Sequence, residues 1–401
     1  MPAAPIDRDG LVAQSAPPAG DLVAKASALG GAIRAAADEI EQTRRIPETL
    51  LAKLHASGLL RLLLPKVYGG GEVDPATYLA ATIEVARHDA SIGWNMFVAN
   101  SSALIAPHIP RETAAEIFAD PRALIAWGPP NACRARAVPG GYRVSGRWDF
   151  ASGCRQATWI GVHAHVEEAD GSLRLNAAGR PTIRTLLSPV SGATLLDTWN
   201  PIGLKGTASD SYAVDDLFVP EARSGTRETP EGHNIPGKLF AFTMQGLYAV
   251  GVSAVALGIA REMLAGLVRL AATKTPRGQS RLADQGLVQA EVARSEARLG
   301  AAEAYLKAVL NDIYARADER GVIGTADRAA VRLACANAIH GAIEVTDAVY
   351  KTAGVSAIFP GSPFERRFRD MHTLSQQIQS RTSHFESVGR ILLGDEDTAF
   401  L

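Results

Sequence analysis

Gly141-Tyr-Arg-Val-Ser-Gly-Arg-Trp-Asp-Phe-Ala-Ser-Gly153 is the stretch on which the reading of the fold turns. Tyr142-Arg-Val-Ser is a short aromatic and β-branched run bounded by glycine, the signature of a strand. Pro139-Gly140-Gly141, immediately upstream, predicts a hairpin turn leading into it. The same punctuation continues on both sides, in Thr158-Trp-Ile-Gly-Val-His-Ala-His-Val and Ser211-Tyr-Ala-Val, with a longer turn expected at Glu168 to Arg174. Residues 122–235 are therefore expected to form a central antiparallel β domain, closed as a small barrel or sandwich.

Both flanks read as helix. Over residues 21–121, Ala, Leu and Ile recur at three- and four-residue spacing, and the pattern breaks at Pro47, Pro65 to Gly71, Pro75 and Pro110. Asp74 before Pro75 is a cap followed by a first-turn proline, and Pro110 opens the next segment in the same way. Residues 236–401 carry four long helical patterns, Leu239 to Thr273, Asp284 to Arg320, Thr325 to Ala353 and Pro363 to Leu393, which imply a C-terminal four-helix bundle. The class is α+β, and residues 1–20, rich in Ala and Pro, are expected to be a disordered tail. Alanine-rich faces such as Ala290 to Ala304 suit close helix packing and subunit association.

Composition narrows the function classes. With 401 residues, a net charge of −1 and charges of both signs interspersed, the chain has no basic run that would track nucleic acid. Gly246 to Leu267 is the most apolar stretch, but Ser253, Arg261 and Glu262 mark it as a buried bundle helix, not a membrane span. Cys133, Cys154 and Cys335 form no CxxC and suggest neither a disulfide framework nor a zinc site, which fits a reducing, cytoplasmic setting. No GxGxxG or P-loop is present, so nicotinamide chemistry is expected to belong to a partner. His163 and His165, two apart on a strand, form a permissible metal pair with no third ligand in sight, so no metal is expected. His88, His340 and His384 fit helix-face positions and receive no role.

Several motifs together resemble the acyl-CoA dehydrogenase superfamily along nearly the whole chain. Leu64-Pro-Lys-Val-Tyr-Gly-Gly-Gly71 is similar to its proline-x-x-tyrosine-glycine-glycine turn. Gly141 to Gly153, continued by Ala157-Thr-Trp-Ile, is similar to the strands that support the flavin. Trp199 to Gly206, continued by Val214-Asp-Asp-Leu-Phe-Val-Pro220, resembles the strand that closes the β domain. Dehydrogenases of this fold need a carboxylate base to remove the proton α to a thioester. Its usual place follows an arginine-aspartate pair. Here Arg369-Asp370 is followed by Met371-His-Thr-Leu-Ser-Gln-Gln-Ile-Gln379, without a carboxylate, and the alternative place, Gln245 to Tyr248, also lacks one.

Arg366-Arg-Phe-Arg-Asp-Met-His372-Thr and Ala90-Ser-Ile-Gly-Trp-Asn95 instead resemble the two-component flavin-dependent monooxygenases: 4-hydroxyphenylacetate and steroid-phenol hydroxylases and, more distantly, dibenzothiophene monooxygenase. The resemblance implies reduced FMN or FAD supplied by a separate NAD(P)H:flavin reductase, O2 as co-substrate, a flavin C4a-hydroperoxide, a small aromatic or phenolic substrate, and a homotetramer. By the same resemblance His372 is the expected catalytic base. Ser152 is expected to hold the reactive flavin edge by donating a hydrogen bond, unless backbone makes that contact. Trp127, Gly128 and Asn131, with Phe150, Ala151 and Gly153, are expected beside the flavin, with Arg277 near its phosphate, while Trp94 and Asn95 line the substrate pocket. The bland reading of both tryptophans is core packing. Arg366, Arg367 and Arg369 are expected to pair with bundle carboxylates, the alternative being that they help hold an anionic substrate or flavin phosphate. Two competing readings are a dehydrogenase with a displaced base and a non-catalytic helical assembly protein.

Overall fold

The computed structural model describes residues 19–176, 179–226 and 234–395. Most of the expected tail lies outside them, and the first helix, α1 (Ala19–Thr43), already begins at its end. Helices α2 (Glu48–Ser57), α3 (Pro75–His88), α4 (Ala90–Ala103) and α5 (Arg111–Phe118) follow. The caps are those the sequence announces. Asp74 accepts a hydrogen bond from Thr77 N with Pro75 in the first turn, and Pro110 precedes α5.

The central strands are β1 (Ile125–Trp127), β2 (Arg134–Val138), β3 (Gly141–Ala151), β4 (Trp159–Glu167), β5 (Ile183–Pro189), β6 (Thr194–Leu196), β7 (Asp210–Pro220) and β8 (Ser224–Gly225). They form one eight-stranded sheet, in the order β6-β7-β3-β2-β4-β5-β8 with β1 added alongside β4. The expected closed barrel or sandwich is thus a single sheet with β6 and β8 at its edges. Pairing is mostly antiparallel, and β2 and β3 form the hairpin across Pro139-Gly140. β1 and β2 both run parallel to β4. Trp148, Tyr142 and Tyr212 fill the core of the sheet.

The long C-terminal helices are α6 (Met244–Thr273), α7 (Gly286–Arg316) and α8 (Thr325–Ala353). α6 is the one described helix long and apolar enough to cross a membrane, but its apolar window is 83% buried within the protein. The fourth expected helix is broken into α9 (Glu365–Leu374) and α10 (Ser383–Leu392). Ser380 Oγ donates to Leu374 O at 3.0 Å and His384 Nε2 lies 2.8 Å from Ile378 O, so side chains hold the bend in place.

A second departure is Trp199 to Gly206, which is loop and not strand; the closing strand begins only at Asp210. The Asp210 carboxylate accepts from both Thr198 N and Trp199 N at 3.0 and 2.9 Å, which fixes the loop. Gly203 is required there. A Cβ at that position would sit 2.2 Å from Arg369 O, so only a bare α-carbon lets the loop press against α9. The arginines of α9 reach further than expected: Arg366 pairs with Asp38 and Glu41, and Arg369 with Glu41 and Glu365. Their main partners lie on α1, at the other end of the chain, and not in the bundle.

Candidate active site

The junction of sheet, α4 and α9 is organised around the end of β3. Pairing with β7 slips between Trp148 and Ala151, and Phe150 adopts φ +63°, a left-handed conformation costly for an aromatic residue. The slip puts Phe150 on the open side, 61% exposed and edge-on to Trp199 at 6.2 Å between ring centres. Ala151 and Ser152 turn inward and are buried. Such strain at a strand end is characteristic of ligand sites.

Ser152 belongs to a directed chain of hydrogen bonds. Trp94 Nε1 donates to Ser152 Oγ at 3.0 Å; Ser152 Oγ is 2.6 Å from Ser209 Oγ, which is 2.8 Å from Thr207 Oγ1; and Thr207 donates to Leu204 O at 2.8 Å. Each hydroxyl has one proton. With Thr207 donating to Leu204 O, the consistent arrangement has Ser209 donate to Thr207 and Ser152 to Ser209; either hydroxyl of each pair can be the donor. In that arrangement Ser152 keeps a free lone pair and no free proton, and toward a ligand it is an acceptor. Ser209 and Thr207 escaped the sequence reading, although the hydroxyl-dense run Thr207-Ala-Ser-Asp-Ser211 directly after Gly206 was their signal.

Asn95 and Gly153 join the same cluster. Asn95 Nδ2 donates to Gly206 O at 3.0 Å, whereas Asn95 Oδ1 is buried without a partner, 3.2 Å from where a Cβ on Gly153 would lie. Gln156 Oε1 is likewise buried and unpartnered. Buried acceptors left open are costly and call for a donor. Trp127 lies edge-on to His163 at 5.1 Å, and the following Gly128 N donates to Tyr212 OH at 3.4 Å. His163 is itself bonded to Thr185 at 2.9 Å. The Asn131 side chain is used internally: Nδ2 donates to Arg147 O at 2.7 Å and Oδ1 accepts from Cys133 N at 2.8 Å.

His372 stands apart from this cluster. Its Nε2 is 3.0 Å from Asp347 Oδ1 on α8, and its ring packs on Phe368, which stacks on Tyr350. Among the described residues no hydrogen bond or ring contact joins His372 to Ser152 or Trp94. The link is through the backbone of α9. Asp370, two residues earlier, is buried and accepts from Leu204 N at 2.6 Å, at the start of the turn that carries Thr207 and Ser209. Burial, and then the nearby Asp89 carboxylate, push the Asp370 carboxyl up to about 7. Arg277 is exposed and lines an open groove with Lys274, Gln279, Leu282 and Glu291, remote in contacts from the Ser152 cluster.

The two places where a dehydrogenase of this fold carries its base converge in space. Gln379, after α9, donates from Nε2 to Gln245 Oε1 at the start of α6, 3.5 Å away, so a carboxamide stands on either side.

Comparison with known proteins identifies the family of the chain. The family model described as "Acyl-CoA dehydrogenase, N-terminal domain" matches residues 28–115, and "Acyl-CoA dehydrogenase, C-terminal domain" matches 250–381; together they cover more than half of the chain. The chain is 28% identical over 391 residues to the oxygenase component of an FADH(2)-dependent resorcinol hydroxylase from Rhizobium sp. (strain MTP-10005), covering 92% of each. It is 29% identical over 371 residues to the indole-3-acetate monooxygenase of Acinetobacter baumannii, covering 90% of this chain and 91% of that protein. The structure of XiaF from Streptomyces sp. in complex with FADH2 and glycerol superposes with a TM-score of 0.87 at 25% identity, covering 96% of this chain and 97% of the other.

Proposed function

Because the chain belongs to the acyl-CoA dehydrogenase superfamily, we propose that it is the oxygenase component of a two-component flavin-dependent monooxygenase that hydroxylates a small aromatic or phenolic substrate. The observation that carries this reading is the Gln379–Gln245 contact. A carboxamide does not remove an α-proton at neutral pH, so the dehydrogenase reaction has no base at either of its customary positions.

The open acceptors at the end of β3 suit a reduced flavin, whose ring nitrogens carry protons to donate. Ser152 Oγ and Asn95 Oδ1 would hold it, with Phe150 and Trp127 walling the ring and the backbone around Gly128 and Gly153 close by. When bound, reduced flavin activates O2 and delivers one oxygen atom to the substrate. Trp94 fixes the Ser152 hydroxyl, and the chain through Ser209 and Thr207 keeps its acceptor side turned outward. His372 holds or removes the phenolic proton, with Asp347 orienting the imidazole as a carboxylate orients a general base. Arg277, exposed beside its groove, is available to a flavin phosphate.

Reducing power comes from a separate NAD(P)H:flavin reductase. A homotetramer is supported by the exposed small residues Ala293, Ala297, Ala301 and Ala304 of α7, which let another subunit's helix approach closely. The free thiols Cys133, Cys154 and Cys335 fit a cytoplasmic setting.

The deciding experiment titrates the purified protein anaerobically with reduced FMN and reduced FAD, then mixes the complex with ¹⁸O2 and a phenol such as resorcinol. Tight binding of a reduced flavin and one ¹⁸O atom in the product support the oxygenase. Anaerobic bleaching of bound oxidised flavin by an acyl-CoA would restore the dehydrogenase reading, and no affinity for either flavin redox state would leave a non-catalytic assembly protein.

A further inference from the structure

Arg332, on α8, is 4% exposed and forms no ion pair with any described residue. Its Nη1 donates to Gln379 Oε1, and its Nε is buried without a partner. The surrounding charge does not compensate it: the buried Cys335 thiol is the one neighbour that favours its charge, and nearby His384 feels Arg332, Arg381 and His340, all basic. Burial accordingly weakens the hold of Arg332 on its proton. A second orphan, His340 Nε2, is buried on the same helix. A guanidinium taken out of water without an anion is among the costliest arrangements in a protein interior. Arg366 and Arg369 on α9, by contrast, have carboxylates, Asp38, Glu41 and Glu365, and the half-buried Arg367 and Arg328 give their protons to backbone carbonyls of Pro363, Arg87 and Ile323, whereas Arg332 has a buried Nε with no acceptor at all.

The place of this cation relative to the flavin turn gives it a use. Ser152 bonds Trp94; Trp94 meets Phe97 edge-on at 4.7 Å; Phe97 meets Tyr248 at 5.0 Å; and Tyr248 stands one helical turn beyond Gln245, which touches Gln379 and through it Arg332. Aromatic contacts therefore run from the Ser152 turn to Tyr248 at the start of α6, one helical turn from the carboxamide pair that reaches the guanidinium. Along the opening turn of α6, Met244 and Tyr248 are half-buried and Gln245 is exposed, so this end is reachable from solvent.

We propose that Arg332, flanked by Gln379 and Gln245, is the subsite for a carboxylate on the aromatic substrate, so that the enzyme takes aromatic acids in preference to neutral rings. A planar guanidinium presents paired N–H donors that match a carboxylate, and carboxamides beside it add neutral donors without adding competing charge. The proposal rests on the oxygenase reading for the identity of the reacting ring, but not for the anion site itself. Arg332 acts on position and not on chemistry: the substrate's carboxylate is fixed at one end so that its ring lies beside the half-buried Tyr248.

The test compares matched pairs of ligands in the full-length protein: 4-hydroxyphenylacetate against 4-hydroxyphenylacetamide, and benzoate against benzamide. Binding is followed by calorimetry and by thermal stabilisation, without flavin and with reduced FMN or FAD. Each acid is expected to bind at least tenfold more tightly than its amide. Arg332→Met should abolish that difference and Arg332→Lys should restore part of it, while affinity for reduced flavin stays as in the wild type. Equal binding of acid and amide by the wild-type protein overturns the proposal, and this arm needs no variant to fold. A folded Arg332→Met protein that keeps the preference overturns it as well. Hydroxylation of neutral resorcinol separates the two levels: if it proceeds but acids gain nothing, only the carboxylate subsite fails; if no flavin binds at all, the oxygenase reading fails while the acid-over-amide comparison still decides the subsite.

Discussion

Replacing Asp370 by asparagine separates the geometry of one buried hydrogen bond from its charge. Asp370 Oδ1 accepts from Leu204 N at 2.6 Å, and an asparagine oxygen accepts the same bond. The carboxyl itself is pushed up to about 7 in the folded protein, by burial first and the Asp89 carboxylate second, against smaller opposing effects of the Leu204 hydrogen bond and Arg369. An unfolded aspartate titrates near 3.9. With the folded value above the unfolded one, the folded state holds a proton that the unfolded state has already released across the interval between them. The associated stability is whole below about pH 4 and is lost as the pH rises through about 7. About three units at roughly 1.4 kcal/mol each set a ceiling of about 4 kcal/mol, reduced where Asp89 takes up part of the titration. Asp370→Asn has no proton to release. Denaturant unfolding of both proteins at half-unit steps from pH 4.5 to 8.5 should therefore show the variant gaining on the wild type by about 1 kcal/mol per pH unit between pH 5 and 7, then levelling off. Parallel curves across that range would refute the reasoning, because they would mean that Asp370 ionises in the folded protein as freely as in the unfolded one.

Four further expectations concern the turn at the end of β3 and the proposed catalytic residues. Ser152→Ala removes the acceptor and interrupts the chain to Ser209; the fold should lose only about 1–2 kcal/mol, while the dissociation constant for reduced flavin, measured anaerobically, should rise about tenfold or more. Gly128→Ala would put a Cβ 2.3 Å from Asp149 O, so β1 or β3 must shift and calorimetry should report a destabilisation of about 1–3 kcal/mol. Phe150→Gly removes a left-handed aromatic residue that is 61% exposed; thermal stability should hold or rise by up to about 1 kcal/mol, with weaker retention of flavin. Asp347→Asn leaves His372 in place but removes the charge that orients it; flavin affinity should be unchanged, while coupled hydroxylation of a phenol falls about tenfold or more and hydrogen peroxide release rises in its place.

What the sequence discloses about the fold is what local chemistry enforces. Asp74-Pro75, Pro110 and Pro139-Gly140 act within a few residues of themselves, and each appears in the structure where it was expected. The break between α9 and α10 carries no such mark. Ser375 to Thr382 contains neither proline nor glycine, and its pattern continues that of a helix; the chain bends because Ser380, Gln379 and His384 find partners outside the helical ladder. The loop from Trp199 to Gly206 misled for a related reason. The resemblance placed it in the closing strand, but the Asp210 carboxylate and the approach of α9 at Gly203 decide otherwise, and both are tertiary effects.

The candidate site divides along the same line. Ser152, Trp94 and Asn95 were legible because their motifs lie in continuous sequence, and the structure brings them together. The hydroxyl chain behind Ser152 was not legible, since Thr207 and Ser209 lie more than fifty positions away. The arginines make the point most sharply. Arg366 and Arg332 each sit in a helical stretch with no partner visible nearby. Folding brings Asp38 and Glu41 to the first from more than three hundred residues away and brings the second only a glutamine. Whether a buried charge is neutralised is thus a property of what the fold brings to it from afar, which neither residue's neighbours in sequence disclose.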